Sequence, residues 1–232
     1  MALYTLSDTH LSFQTEKPMD IFGSRWQNHA DKIAHNWRLL ITPEDTVVIP
    51  GDITWAMTLD EAVEDFRFLS SLPGKKIIGK GNHDYWWQTR KKAEEFFKAH
   101  DFADIFLLYG DAYRVDDKII CGTRGWYNED TKIENCDYKK IVLREAGRLK
   151  RSLEAGRLLG NEELIAFLHF PPVFGDFVCR ELLDVLHAFE VTRVYYGHIH
   201  GIYNLPQNHE FENIRFTLVA ADYLNFTPFR VF

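Results

Sequence analysis

Seven side chains with metal-binding donor atoms follow short apolar runs along the 232-residue chain: Asp8, His10, Asp52, Asn82, His169, His198 and His200. Together they offer two carboxylates, four imidazoles and one amide oxygen, with no thiolate among them. A mixed nitrogen and oxygen set of this kind suits Mn, Fe or Zn rather than a structural zinc cluster or calcium. Seven donors are too many for one tetrahedral ion and match two ions that share a bridging carboxylate. His198 and His200, two apart on a segment expected to be extended, would point the same way and serve neighbouring ions. Donors arriving from five separate places also imply an open, solvent-facing site rather than a closed structural one.

The elements that must position them can be read from the same runs. Leu3 to Leu6 leads into Asp8 and His10, Val47-Val48-Ile49 into Gly51-Asp52, and Ile77-Ile78 into Asn82. Leu164 to Leu168 leads into His169, and Val194-Tyr195-Tyr196 into His198 and His200. Such runs, bounded by Gly and Pro, predict buried strands. Helical patterns lie between them. The clearest covers 59–72, with Leu59, Ala62, Val63, Phe66 and Leu69 on one face and Thr58 and Glu61 as a capping box. Weaker ones cover about 26–41, 86–100 and 179–190. Strand–helix alternation predicts an α/β fold with a largely parallel sheet, in which functional groups gather at the carboxyl ends of the strands. The last third, about 200–232, alternates like strands without a long helix and predicts a second, more antiparallel sheet packed on the first. No repeat or Pro/Gly/Ser linker divides the chain, so one domain is expected over 1–232.

Composition narrows the function. Hydrophobic residues make up 46% and aromatic ones 15%, which is the make-up of a folded protein with an aromatic core. The formal net charge of −7 would repel nucleic acid and anionic membranes, so phosphate chemistry needs a local source of positive charge. Three cysteines, Cys121, Cys136 and Cys179, lack a C-x-x-C pair. They argue against a disulfide framework and suit a reducing compartment. No run approaches the roughly eighteen apolar residues of a membrane span. The first residues have neither the basic region nor the cleavage site of a signal peptide. The cytoplasm is the expected location.

Asp8-Thr9-His10, Gly51-Asp52, Gly81-Asn82-His83-Asp84, an isolated His169 and Gly197-His198-Ile199-His200, in this order, resemble the calcineurin-like metallophosphoesterase superfamily. Each block alone is common; five in sequence, each after an expected strand, are specific. The resemblance implies a four-layer αββα sandwich, two central mixed β-sheets flanked by helices. It also assigns Asp8, His10 and His200 to one metal, Asn82, His169 and His198 to the other, and Asp52 to the bridge. His83 is implied to lie beside the scissile phosphate and to stabilise charge or protonate the leaving group. Asp84 is implied to fix its tautomer. One departure stands out: Trp55 occupies a position where family members often carry a second Asp. The implied activity is phosphoester hydrolysis, on monoesters or diesters. Two ions about 3.5–4 Å apart would generate a bridging hydroxide for in-line attack on phosphorus.

Other segments carry weaker signals. Lys139 to Arg157 holds seven basic and two acidic residues, with Val142, Ala146, Leu149 and Leu153 on one stripe. It reads as an amphipathic surface helix, and its sharper alternative is a basic face that helps hold a polyanionic substrate. Arg124, after the run Ile119-Ile120-Cys121, is a candidate to reach a phosphate oxygen through its planar fork. Tyr85-Trp86-Trp87 reads as core more than as a stacking platform. His29, His35, His100, His187 and His209 have no partner motif and read as surface or helix residues. A small phosphoester is the expected partner, with no membrane and no large duplex, and the aromatic content is compatible with a core or a homo-oligomer interface alike. A non-catalytic scaffold would be expected to have lost ligands, and this chain has lost none. A protein Ser/Thr phosphatase ranks below small esters because no extended docking region is evident.

Overall fold

Strand runs that are apolar on both faces become the centres of two parallel-cored sheets, because only burial on both sides satisfies such runs. The computed structural model describes residues 1–126 and 138–232; Cys136 lies outside the described residues. Strands β1 (Leu3–Thr5), β2 (Thr46–Ile49), β3 (Lys75–Ile78) and β4 (Ile105–Leu107) come first, with helices α1 (His29–Leu40), α2 (Val63–Ser70) and α3 (Arg90–Ala99) between them. A hairpin of β5 (Tyr113–Val115) and β6 (Lys118–Thr123) precedes α4 (Tyr138–Leu159) and β7 (Glu163–Leu168). A small hairpin, β8 (Val173–Phe174) and β9 (Phe177–Val178), leads to α5 (Arg180–Ala188) and β10 (Arg193–Tyr196). The chain closes with β11 (Asn208–Phe211), β12 (Ile214–Leu218) and β13 (Phe229–Arg230).

The first sheet has the order β13-β1-β2-β3-β4 and the second β11-β12-β10-β7-β6-β5. Both are parallel at the centre, and antiparallel strands close one edge of the first sheet and both edges of the second. Leu3, Val48 and Ile77 of the first sheet pack against Ile120, Ile165, Phe167 and Tyr195 of the second. Helices α1 to α3 cover the outer face of the first sheet through Trp37, Phe66 and Phe97, and α4 and α5 cover the second through Leu149, Leu153 and Leu183. The result is the αββα sandwich. The stripe Val142, Ala146, Leu149 and Leu153 is buried, as its helical spacing requires. Among the described residues no helix is long and apolar enough to cross a membrane.

Three boundaries differ from the sequence reading for local reasons. The 59–72 helix begins as a 3-10 turn at Asp60–Ala62 and becomes α-helical only over Val63–Ser70. Its capping box is displaced by one residue: Thr58 Oγ1 accepts from the Glu61 amide at 3.3 Å, while the Glu61 carboxylate accepts from Met57 rather than Thr58, at 2.8 Å. The 26–41 helix starts at His29, because Asn28 adopts a left-handed φ of 53° that interrupts helical geometry. The 86–100 helix starts at Arg90, where Thr89 caps it through the Lys92 amide.

The final third does not form a sheet of its own. β12 pairs in parallel with β10 in the middle of the second sheet, and β13 returns to pair antiparallel with β1 in the first. The turn after β12 even joins the sheets: Ser7 N donates to Val219 O at 2.8 Å, and Ala221 N donates to Ser7 O at 2.9 Å. Alternation in sequence reports a strand but not its partner, since pairing is decided by distant strands.

Two glycines of α4 make opposite predictions. A β-carbon at Gly156 would meet Cys121 Sγ at 2.8 Å and Leu164 Cδ2 at 2.9 Å, whereas one at Gly147 meets nothing. Gly156→Ala is expected to lose about 1–3 kcal/mol by overpacking α4 on the sheet. Gly147→Ala is expected to gain about 0.5–1 kcal/mol from helix propensity. Denaturant unfolding of the two variants checks both signs.

Candidate metal centre

All five polar clusters lie just beyond the carboxyl ends of β1, β2, β3, β7 and β10, so the parallel cores of both sheets deliver them to one seam. Backbone hydrogen bonds lace the loops together: Asp8 N donates to Gly51 O and His10 N to Asp52 O, each at 3.0 Å. The His198 amide donates to both Asp8 carboxylate oxygens, at 3.1 and 3.0 Å, and the His83 amide donates to Asp52 Oδ1 at 2.8 Å. The amides of His169 and Phe170 both donate to Arg124 O, at 3.1 and 2.8 Å. Asp8, His10, Asp52 and His198 all have left-handed φ, at 59°, 44°, 52° and 68°. Non-glycine residues seldom adopt this region, and it concentrates at sites where function requires a side chain to be aimed.

Asp8, His10 and Asp52 present ligand atoms within 4.8 Å of one another, and all three are buried. Asp52 Oδ2 lies 3.7 Å from His10 Nε2 and 3.5 Å from His169 Nε2, so it stands between two imidazoles. His169 Nε2 in turn contacts Asn82 Oδ1 at 2.6 Å. The ring of His200 lies 5.5 Å from that of His10, and the ring of His198 lies 5.1 Å from that of His169. The seven donors foreseen in sequence thus come together. The pair at 198 and 200 does so differently from the expectation: the left-handed His198 breaks the extended geometry, and each ring joins its own imidazole partner.

Burial dominates the electrostatics. Desolvation pushes the Asp8 carboxyl up to about 8 and raises Asp52 well above the carboxylate range, where Asp84 and Asp8 add like-charge repulsion. The same burial drives His10 and His169 well below the ordinary imidazole value, and neighbouring imidazoles push in the same direction. Both ring nitrogens of His10, Asp52 Oδ2 and His169 Nδ1 are buried without a hydrogen-bond partner. Buried polar atoms are rarely left unmet, and here neutral imidazole nitrogens and carboxylate oxygens converge on shared space. Divalent cations fit this donor set.

Asp84 ties loops together. It accepts from the Asp52 and Gly81 amides at 2.9 and 2.7 Å through Oδ2. Through Oδ1 it accepts from the Ile53 amide at 2.9 Å and the Trp86 indole at 3.0 Å. It ties the loop after β2 to the loop after β3. His83 itself is half-buried, with its ring 4.3 Å from Trp55 and 5.7 Å from His10. Arg124 lies on the Asn82–His169 side, 3.7 Å from the buried Glu145 carboxylate.

A calcineurin-like phosphoesterase family model matches residues 1–201. The chain belongs to that family. Solved structures with the same fold include a protein of unknown function, AQ665, from Aquifex aeolicus, at 18% identity and a TM-score of 0.54, covering 99% of this chain and 95% of that one. The phosphopantetheinyl hydrolase PptH from Mycobacterium tuberculosis is 16% identical, with a TM-score of 0.53 and the same coverage. TT1561 from Thermus thermophilus is 12% identical, with a TM-score of 0.57, covering 95% of this chain and 89% of that one. At these identities the likeness is one of fold. Among curated proteins no match is found.

Several residues of the phosphoesterase centre escaped the sequence reading. Trp55, at the position of the family's frequent second Asp, stacks on His10 at 5.0 Å and 21° and donates its indole N–H to Met19 Sδ. Trp26 packs its ring edge against both His10 and His200. His29, read as a surface or helix residue, has Nε2 at 3.2 Å from His10 O. The buried Asp222 accepts from Gly201 N and Tyr203 Oη, which holds the loop that carries His200. Trp26, His29 and Asp222 lie in no recognisable motif, and Trp55 was legible only as a departure from one; their distance from His10 or His200 marks them.

The raised carboxyls fix the sign of a pH effect. With a folded value of about 8 against an ordinary 3.8, Asp8 keeps a proton in the metal-free fold that the unfolded chain has already lost. That contribution to stability falls as pH rises from about 4 to 8, and a bound cation must displace the proton. Metal loading at pH 7 is therefore expected to release protons, and affinity should climb with pH towards 8. Calorimetric titration in PIPES and in Tris, which differ in ionisation enthalpy, reads this directly; equal enthalpies in both would contradict it.

Proposed function

We propose that this phosphoesterase is a hydrolase of small phosphoesters that works with two divalent or mixed-valence ions drawn from Mn, Fe and Zn. Asp8, His10 and His200 would hold one ion, Asn82, His169 and His198 the other, and Asp52 both. The observation that carries this reading is the Asp52 carboxylate, with an unmet Oδ2 between the imidazoles of His10 and His169. Bound ions of this kind supply an activated water and a clamp on phosphate oxygens. They would also give an acidic chain the positive charge that a phosphoester needs.

The protein's own groups do the remaining work. The His83 amide donates to Asp52, and the half-buried His83 ring would stabilise charge on the phosphoryl oxygens or give a proton to the leaving group. Trp55 and Trp26 wall the His10 side and hold its ring in one orientation. Asp84 keeps the loops of Asp52 and Asn82 in register. The M. tuberculosis neighbour is named as a hydrolase, which supports the reaction class. The buried free thiols Cys121 and Cys179 fit the cytoplasm.

The test is hydrolysis of p-nitrophenyl phosphate beside bis(p-nitrophenyl) phosphate by protein stripped of metal and reloaded with Mn, Fe or Zn. Turnover is expected only after reloading. Asn82→Ala and His169→Ala should each lose bound metal, measured by elemental analysis, together with most activity. His83→Ala should keep its metal and lose roughly 10²–10⁴-fold in kcat. A fully loaded and active Asn82→Ala protein would break the ligand assignment. A wild-type protein that takes up no metal would point to a scaffold instead.

A further inference from the structure

On the Asn82–His169 side of the centre, three cations that the hydrolytic reading leaves without a task line one narrow pocket: Lys80, Arg124 and Arg148. Lys80 stands two residues before Asn82, and Arg124 O receives the amide hydrogen of His169, so the pocket adjoins the metal centre through the backbone. Arg148 comes from α4, the basic helix singled out in sequence. The pocket is built around Glu145, which is fully buried. Arg148 Nη1 bonds Glu145 Oε1 at 2.5 Å, Thr123 Oγ1 donates to Oε2 at 2.8 Å, and Arg124 Nη2 lies 3.7 Å from Oε1. Tyr109 supports the Arg148 guanidinium, 5.4 Å from its ring centroid.

One carboxylate does not balance three cations. Among the described residues Lys80 Nζ has no hydrogen bond or ion pair, and Arg124 Nε is buried without a hydrogen-bond partner. Burying unmet cationic donors is costly unless an anion meets them. A network that only stapled α4 to β6 would need Arg148, Glu145 and Thr123. It would leave Lys80 without an ion pair among the described residues and Arg124 Nε without a hydrogen-bond partner. The unmet Nε on the planar fork of Arg124, with the half-buried Lys80 beside it and one glutamate shared among three cations, matches the charge and shape of a phosphate group.

We propose that Lys80, Arg124 and Arg148 form a second anion subsite that takes a non-scissile phosphate, so that the substrate is an ester bearing two phosphate groups. The subsite rests on the phosphoester reading above and narrows it. One phosphoryl group would sit at the metal centre and the other on these cations, with Glu145 setting the spacing of the two arginines. The pocket also accounts for why a chain of net charge −7 gathers cations on this edge.

A molecular ruler tests it. α,ω-Alkanediol bisphosphates of increasing length, each beside the alkyl monophosphate of equal length, are titrated into the metal-loaded protein by calorimetry. At one length the bisphosphate is expected to bind about tenfold or more tightly than its monophosphate. In Lys80→Gln and Arg148→Gln that ratio should fall towards one. In Lys150→Gln it should persist, because Lys150 is exposed on the same helix and pairs with Glu154. A ratio of affinities is insensitive to the fraction of folded or loaded protein. A ratio near one at every length, or one that survives in both pocket variants, would overturn the subsite while monophosphate binding left the phosphoester reading standing. Binding of neither series, with no ester hydrolysed, would sink both.

Discussion

Two carboxylates buried together without a lysine or arginine in ion-pair range among the described residues are the constraint on which this structure turns. Asp8 and Asp52 are each fully buried, and the groups around them are imidazoles that burial keeps neutral. Such a cluster is expensive for a fold to hold and is relieved by a cation placed among the donors. The surrounding architecture serves that cluster. Parallel strands from two sheets end at one seam, and the backbone of Ser7 pairs with β12's extension so that Asp8 stands where the sheets meet.

Asp84 shows how a buried acid can hold loops in place. Its two oxygens receive three backbone amides and an indole, which replaces lost hydration with fixed donors and binds two loops into one unit. Asp52, whose amide is one of those donors, holds a left-handed backbone there. Backbone approach is close as well. A β-carbon at Gly81 would collide with the Asp52 side chain, and one at Gly197 would collide with Ser7 and Asp8. The glycines of the Gly-Asn-His-Asp and Gly-His-Ile-His blocks are there because their backbone and the Asp52 and Asp8 carboxylates share the same space.

Charge is partitioned within the molecule. The chain as a whole is acidic, yet one flank of the centre presents cations held by a buried glutamate, and the opposite flank presents aromatic rings around His10. The seam is thus flanked by a cationic side and an aromatic side. Both are supplied by loops and helices outside the five motif blocks.

The parallel strands, the helical stripe of α4 and the seven donors were legible in sequence because each depends on local facts. These are the two-sided apolarity of a central strand, the 3.6-residue period of a helix, and the placement of polar residues directly after a strand. The core assignment of the Tyr85-Trp86-Trp87 run holds for Trp86 and Trp87, which are buried, and not for Tyr85, which is exposed. What sequence did not reveal depends on contacts between distant segments. The destination of β12 and β13, the use of Asp84 to tie amides, and the approach of Trp26, Trp55, His29 and Asp222 are of this kind. So is the balance of charge around Glu145. Sequence alone determined which chemical groups the protein carries and that strand ends would present them. Only the tertiary structure decided which groups share a metal-sized space and which are consumed in holding it, because burial and distance are properties of the packed chain.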